Sequence, residues 1–338
     1  MNDFIPIRVY FEKIYGRGED AEPLLEIFDK FGFLGVFDGL GGAGSTTYEE
    51  NGAAYSGAYY ASRIARQVIR NLLIRRPEIQ QGDLDKIATF VSLSQNIIAQ
   101  ELQMKASELD NKNYKLKSSL IKRLPTTIVV MCFWLSRDNS SYHCLSMWAG
   151  DSRGYFLTPD KGLCQITVDD LKSNGDALES LCNDSPLSNY ANADTSFVLH
   201  HRLDNLNSPF VLITATDGCF SYVQTPMHFE FFLLETLMRA QTIVEWEQLL
   251  KDRLSSTTSD DASMALIAIG WPDFNSFRRS FEKRYETILQ DYISKLNNID
   301  ERIKLYERKL AQYKAIREEA RGRLWLEYKK SYESLMRH

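Results

Sequence analysis

Short apolar runs bounded by turn residues dominate the first 270 positions, and they predict strands rather than helices. Phe4 to Phe11 alternates loosely and reads as a first strand. Leu24 to Phe28 and Phe33 to Phe37 form a predicted hairpin, turned by Asp29-Lys30-Phe31-Gly32. Ile128 to Leu135 and Ser141 to Ala149 are two more strands, joined through Asp138-Asn139-Ser140. Gly154 to Thr158 and Leu163 to Thr167 make a further pair around Pro159-Asp160-Lys161-Gly162. Pro209 to Thr216 and Met264 to Ile269 complete the set. Helical spacing appears in Ala53 to Leu73, where Ala58, Ala61, Ile64, Ala65, Val68 and Leu72 recur. Asp83 caps a second predicted helix from Leu84 to Lys105. Met227 to Arg239 and Val244 to Leu254 are amphipathic. Asp110 to Lys122, polar and lysine-rich, reads as an exposed connection. Asp169 to Asp194, rich in Asp, Asn and Ser, has no period and reads as a variable segment beside the core.

The last stretch has a different rhythm. From Tyr285 the apolar positions are Tyr285, Leu289, Tyr292, Leu296, Ile299, Ile303, Tyr306, Leu310 and Tyr313, in alternating steps of four and three. That is a heptad seam. Arg317 breaks it, and Ala320 and Leu324 resume it. Its bulky aromatic positions argue against a tight parallel zipper. An antiparallel pair, a homodimer contact, a helix lying on another protein and a helix packed on its own body are all open. Trp325, Tyr328, Tyr332 and Leu335 add more apolar surface than a free helix should expose. Charge changes at the same place: residues 274–338 carry 16 Lys+Arg against 10 Asp+Glu, a net of +6, and the remainder has a net of −11. Two regions are therefore expected, a body at 1–272 and a helical, coiled-coil-like tail at 273–338. The acidic body argues against nucleic acid as a ligand.

Composition narrows the class. With 44% apolar and 25% charged residues in 338, the chain is globular. No apolar run approaches 18 residues, so no membrane span is expected. Met1 to Pro6 lacks the pattern of a secretory leader, and cytosolic residence is the default expectation. Five cysteines, never at C-x-x-C spacing, imply neither zinc nor a disulfide framework. His200-His201 is the only histidine pair, and neighbours on a strand point to opposite faces.

Candidate chemistry lies at the strand ends. Phe33-Leu34-Gly35-Val36-Phe37 runs into Asp38, and Gly39, Gly41, Gly42 and Gly44 follow. Gly39-x-Gly41-x-x-Gly44 formally matches a dinucleotide fingerprint, but that needs a helix and a following parallel strand which the pattern does not supply. The competing reading is a cation site. Asp38, Asp151, Asp217 and Asp260-Asp261 each border a buried strand, where a carboxylate is costly unless paired or ligating. All-oxygen ligation selects hard cations, Mg²⁺ or Mn²⁺.

Taken in order, Asp38-Gly39-x-Gly41-Gly42, Gly150-Asp151-Ser152-Arg153, Ala215-Thr216-Asp217-Gly218 and Asp260-Asp261-Ala262-Ser263 resemble the motifs of the metal-dependent type 2C protein serine/threonine phosphatases. Glu19-Asp20 matches the acidic pair near that family's N-terminus, and Pro125-Thr126-Thr127 is similar to its Gly-Thr-Thr. The resemblance covers roughly residues 5–270. It implies an α+β fold, a four-layer α-β-β-α sandwich of two antiparallel sheets, and hydrolysis of phosphoserine and phosphothreonine by a metal-activated water. It implies that Asp38 bridges two Mn²⁺ or Mg²⁺ ions and that the Gly39 carbonyl ligates one. Asp217 and Asp260 would ligate the first, Glu19 and Asp20 would hold metal-bound waters, and Asp151 with Asp217 would bind a third, weaker ion. Asp38, Asp217, Asp20 and Arg17 are the implied catalytic set, with Arg17 as the phosphate-binding cation at a shorter spacing than the family's. Leu40 stands where many members have a proton-donating histidine, and residues 169–194 correspond to the flap bordering the site. The implied partner of the body is a phosphoprotein. The alternative function is a pseudophosphatase that binds or regulates through its tail.

Overall fold

The computed structural model describes residues 4–336, apart from 51, 77–78, 80–82, 113–121, 173–174 and 183–184. The chain divides into two compact units, Met1–Tyr285 and Glu286–His338. Most of the predicted Asp110 to Lys122 connection falls outside the described residues; Asp110 itself still belongs to a helix.

The first unit is built on two five-stranded antiparallel sheets. One has the order β1-β12-β11-β8-β9 and the other β10-β7-β6-β3-β2. In the first are β1 (Phe4–Phe11), β8 (Arg153–Thr158), β9 (Gly162–Gln165), β11 (Phe210–Ala215) and β12 (Ala262–Ile269). In the second are β2 (Leu24–Ile27), β3 (Phe31–Val36), β6 (Ile128–Leu135), β7 (Tyr142–Ala149) and β10 (His200–Leu206). Burial follows the two-residue strand period. On β6, Ile128, Val130, Cys132 and Trp134 join one cluster with Ala61, Ala65, Ile69, Phe90, Ile98 and Leu102 of two helices. Met131 and Phe133, between them, join Leu212, Ala265 and Ile267 of the opposite sheet. Both faces of β6 are thus covered, which is why its sequence is continuously apolar.

The helices on the β6 side are α1 (Gly57–Arg75) and α2 (Ile87–Lys112). Four short or amphipathic helices, α3 (Ala177–Cys182), α4 (Asp217–Phe220), α5 (Pro226–Arg239) and α6 (Ile243–Thr257), belong to the second half of the unit. Phe229 of α5 lies 5.6 Å, ring to ring, from Tyr155 of β8. The expected α-β-β-α layering is present.

Two local expectations are corrected. Helix α1 does not begin at Ala53: Thr47–Glu50 (β4) and Ala53–Ser56 (β5) form a small hairpin, and Ser56 caps the helix by accepting from Tyr59 N at 3.1 Å. The second helix starts with one 3₁₀ turn at Leu84–Lys86 and runs to Lys112, beyond the expected Lys105.

The body also extends past 272. Helix α7 (Phe274–Ser280) buries Phe277, which packs 5.4 Å from Trp246 and 4.9 Å from Trp271, and Phe281 follows it into the core. These rings hold 274–285 in the first unit despite their basic composition.

In the second unit, helix α8 (Glu282–Ile288), which starts in the first, leads into a π-helical turn at Leu289–Ile293 and then α9 (Ser294–Tyr332). The π turn inserts a residue into the helical count. The heptad seam is therefore not continuous from Tyr285: Ile288 and Ile293 are the buried residues, and Tyr292 is exposed. Helix α9 spans 39 residues and buries none of them. No helix among the described residues is long and apolar enough to cross a membrane.

Candidate active site

Antiparallel pairing brings the motif aspartates to one end of the sandwich. In the second sheet Val36 pairs with Val129, and Ile128 with Ala149, so the ends preceding Asp38 and Asp151 lie together. In the first sheet Ala215 pairs with Met264 and Arg153, and Ala262 pairs with Phe11. Asp217 and Asp260-Asp261 thereby meet the loop from β1 that carries Glu19-Asp20.

The backbone around Asp38 is fixed by the Pro125-Thr126-Thr127 segment. Thr127 N donates to Asp38 O at 2.8 Å, Thr126 Oγ1 donates to the same oxygen at 2.7 Å, and Asp38 N donates to Thr127 Oγ1 at 3.3 Å. Thr127 Oγ1 also meets Ser152 Oγ at 2.6 Å, tying in the Gly150-to-Arg153 motif. Gly150 adopts φ +107°, a left-handed conformation open to glycine. Arg153 is a structural member of that motif: its guanidinium pairs with Asp169 at 2.6 Å and lies 4.4 Å over the Phe220 ring.

The Glu19-Asp20 loop is held from three sides. Asp261 Oδ2 accepts from Glu19 N at 2.6 Å and its Oδ1 from Lys13 N at 2.8 Å. Ser62 Oγ donates to Glu19 O at 2.6 Å, and Arg63 Nη2 donates to Gly18 O at 3.1 Å. Asp20, 2% exposed, accepts from Thr216 Oγ1 at 2.9 Å. Asp261 is thus a clamp rather than a spare acid. Its partners lie 242 and 248 positions away, which no local pattern signals.

These carboxyls repel one another in a poorly solvated place. Burial, then the charges of Asp20, Asp217 and Asp151, push Asp38 well above the usual carboxylate range. Burial and the neighbouring Asp217 and Asp261 raise Asp20, against the opposing Thr216 hydrogen bond. Burial, then Asp260, raises Asp217. Asp151 is pushed up to about 7 by burial and by Asp217 and Asp169. Glu19 rises chiefly through burial, with Asp261 and Asp260 adding to it.

The aspartates face a cleft of about 570 Å³. Glu19, Asp20, Asp38, Gly39, Asp217 and Asp260 all line it, so six of the expected site residues are brought together. Asp151 lies behind, facing Asp217, and its Oδ1 is buried without a hydrogen-bond partner. Arg17 is not in the cleft wall: it is exposed on the turn that its N–H closes onto Ile14 O at 3.0 Å. Leu40 lines the cleft, and no histidine does so among the described residues. Lys172, Pro186, Leu187 and Tyr190 form the wall contributed by the 169–194 segment.

Among the described residues no three His, Cys, Asp or Glu side chains stand as a ready-made cation cage. The donor set nevertheless fits a hard divalent cation. It is all oxygen, it is crowded enough that burial and neighbouring charges raise Asp20, Asp38 and Asp217 together, and it leaves Asp151 Oδ1 unpaired. A cation would relieve each of these costs.

Compared by sequence, the chain matches no family profile and no curated protein. Compared by structure, it matches solved phosphatases along most of its length. A bacterial serine phosphatase superposes with a TM-score of 0.57 at 17% identity, over 79% of this chain and 98% of that one. The serine/threonine phosphatase Stp1 from Staphylococcus aureus gives 0.57 at 17%, over 80% and 96%. The catalytic domain of the serine/threonine phosphatase PstP, solved with two manganese ions, gives 0.51 at 16%, over 80% and 99%. The fold is that of the type 2C phosphatases. The glycine-rich stretch after β3 leads into a hairpin and not a helix, which removes the dinucleotide reading.

Proposed function

We propose that the chain is a metal-dependent protein serine/threonine phosphatase, hydrolysing phosphoserine and phosphothreonine in protein substrates. The observation that carries this reading is the convergence of Asp20, Asp38 and Asp217 on one cleft, with the unpaired Asp151 oxygen behind them. Asp38, the Gly39 carbonyl, Asp217 and Asp260 would hold two Mn²⁺ or Mg²⁺ ions, with Glu19 and Asp20 orienting their waters and Asp151 supporting a third. The ions would supply a nucleophilic hydroxide at neutral pH and neutralise phosphoryl charge. The protein's own part is to hold the carboxylates in register through Thr126, Thr127 and Asp261, and to exclude bulk water with the 169–194 wall. The free cysteines Cys132, Cys144, Cys164 and Cys219 support a cytosolic setting.

Hydrolysis of an aryl phosphate and a phosphothreonine peptide is expected with Mn²⁺ and is expected to vanish in EDTA. A folded, Mn²⁺-loaded protein without turnover would instead be a pseudophosphatase. Leu40 in the cleft and Arg17 outside it are what favour that second reading.

The tail we assign to protein binding through pairing of α9 with a second helix. Ile299, Ile303, Tyr306, Leu310 and Tyr313 are exposed on it, and Tyr313 keeps 70% of its surface. A helix with that much free apolar area is expected to self-associate or bind. Sedimentation of the full chain is expected to show mass above 38.9 kDa that rises with concentration. Ile303→Glu with Leu310→Glu should return it to monomer, and a strict wild-type monomer would end the self-pairing idea.

A further inference from the structure

We infer that Lys172 is the phosphate-binding cation of the cleft, in the place expected of Arg17. This inference rests on the phosphatase reading and assigns its substrate group to a residue of the opposite wall.

Electrostatics sets the need. Glu19, Asp20, Asp38, Asp217, Asp260 and Asp261 line the cleft, six carboxylates. Two divalent cations neutralise only four such charges, and a third would bring in the Asp151 carboxylate, leaving seven carboxylates against six positive charges. A phosphate monoester is itself a dianion near neutral pH. It would enter a net negative cleft unless a fixed cation met it. Among the described lining residues Lys172 is the one Lys or Arg.

Lys172 also sits on a fixed root rather than on a free loop. Asp170, two residues before it, is bonded in every direction. Asp170 N donates to Gly150 O at 3.0 Å, and its Oδ2 accepts from Gly150 N at 2.9 Å and from Asn189 Nδ2 at 2.7 Å. His200 Nε2 meets its Oδ1 at 3.0 Å. Across from it, Ser188 N donates to Asp170 O at 2.7 Å, Lys172 N donates to Pro186 O at 3.0 Å, and Leu171 bridges to Leu187. This short antiparallel ladder ties the backbone of Lys172 to Gly150, next to Asp151. The side chain is exposed, so it keeps its reach and its hydration until a ligand arrives. A point-charge ammonium on a flexible stem suits a phosphate that must bind and leave at each turnover.

The test uses the full chain loaded with Mn²⁺, with Lys172→Met and Lys172→Arg. Lys172→Met is expected to raise KM for the aryl phosphate and the inhibition constant of inorganic phosphate by roughly tenfold or more, the loss of one charge-assisted contact. Lys172→Arg should restore both, and Arg17→Met should change neither. Calorimetric titration of inorganic phosphate into the Mn²⁺-loaded proteins gives the same comparison without turnover. An inactive wild type would overturn the phosphatase reading while the titration still judged Lys172. Equal phosphate affinity in wild type and Lys172→Met would overturn this inference while leaving the phosphatase reading intact. Because Lys172 is exposed, both variants are expected to melt with wild type, and a common melting temperature assigns any change to binding.

Discussion

Asp38→Asn should lower metal-dependent turnover by roughly 10³-fold and, in EDTA, raise the melting temperature of the same protein. The two effects have one cause. Asp38 sits where three strand ends meet, with Asp20, Asp217 and Asp151 raising its proton affinity on top of burial. Without a cation that arrangement is paid for in stability. An amide has the same shape and carries no charge. The gain expected is about 1–2 kcal/mol, within the range seen when buried charges are replaced by neutral groups. In a chain this long that is a shift of a few degrees. The catalytic loss is of the opposite sign and larger. If Asp38 holds the ions as proposed, its loss forfeits several kcal/mol of transition-state stabilisation, roughly 10³-fold in rate. Mn²⁺ should stabilise wild type by mass action and Asp38→Asn much less. Thermal unfolding with EDTA and with Mn²⁺, beside an aryl phosphate assay, reads all three. A fall in the EDTA melting temperature would show that the carboxyls do not repel, and undiminished turnover would remove Asp38 as the bridge.

The same tension made the site legible in sequence. A carboxylate at the end of a run such as Phe210 to Ala215 has no cheap structural role, so Asp217 and Asp38 stand out against their neighbours. Strands β6, β11 and β12 were equally plain, because burial on both faces leaves a nearly continuous apolar run. The hairpin β4–β5 was hidden, since Ala53-Ala54-Tyr55-Ser56 continues the small-residue spacing of α1 and only the Ser56 cap marks the break. In the tail the sequence seam steps every 3.5 residues, and the π turn at Leu289–Ile293 shifts the buried positions to Ile288 and Ile293. Asp261 and Lys172 were invisible as actors for a different reason. One works through backbone N–H groups more than 240 positions away, and the other through a ladder in a segment without hydrophobic period. Sequence patterns carry burial well and long-range polar contacts poorly.

Gly39→Ala should be severely damaging to both stability and turnover. A Cβ there would fall against the carbonyl oxygen of Glu19 and lie 2.7 Å from that of Ala58. Both obstacles are backbone. The Glu19 carbonyl already accepts from Ser62 Oγ at 2.6 Å, and Ala58 lies in the first turn of α1. Neither can yield as a side-chain tip would, so the methyl must part the Glu19-Asp20 loop from the helix. The expected cost is about 3 kcal/mol or more, the upper range for overpacking. Because that loop carries Glu19 and Asp20 into the cleft, turnover should fall even in the fraction that remains folded. Gly42→Ala is the matched control. It lies three residues on in the same loop, its backbone is not left-handed, and nothing stands within 4 Å of its Cβ position. Its stability should stay within about 0.5–1 kcal/mol of wild type, and the sign should be favourable if the unfolded chain loses freedom. Urea unfolding in EDTA gives the two values side by side. Equal effects at Gly39 and Gly42 would mean that the loop bends freely, and the close approach of Glu19 to Gly39 would then not be what positions the carboxylates.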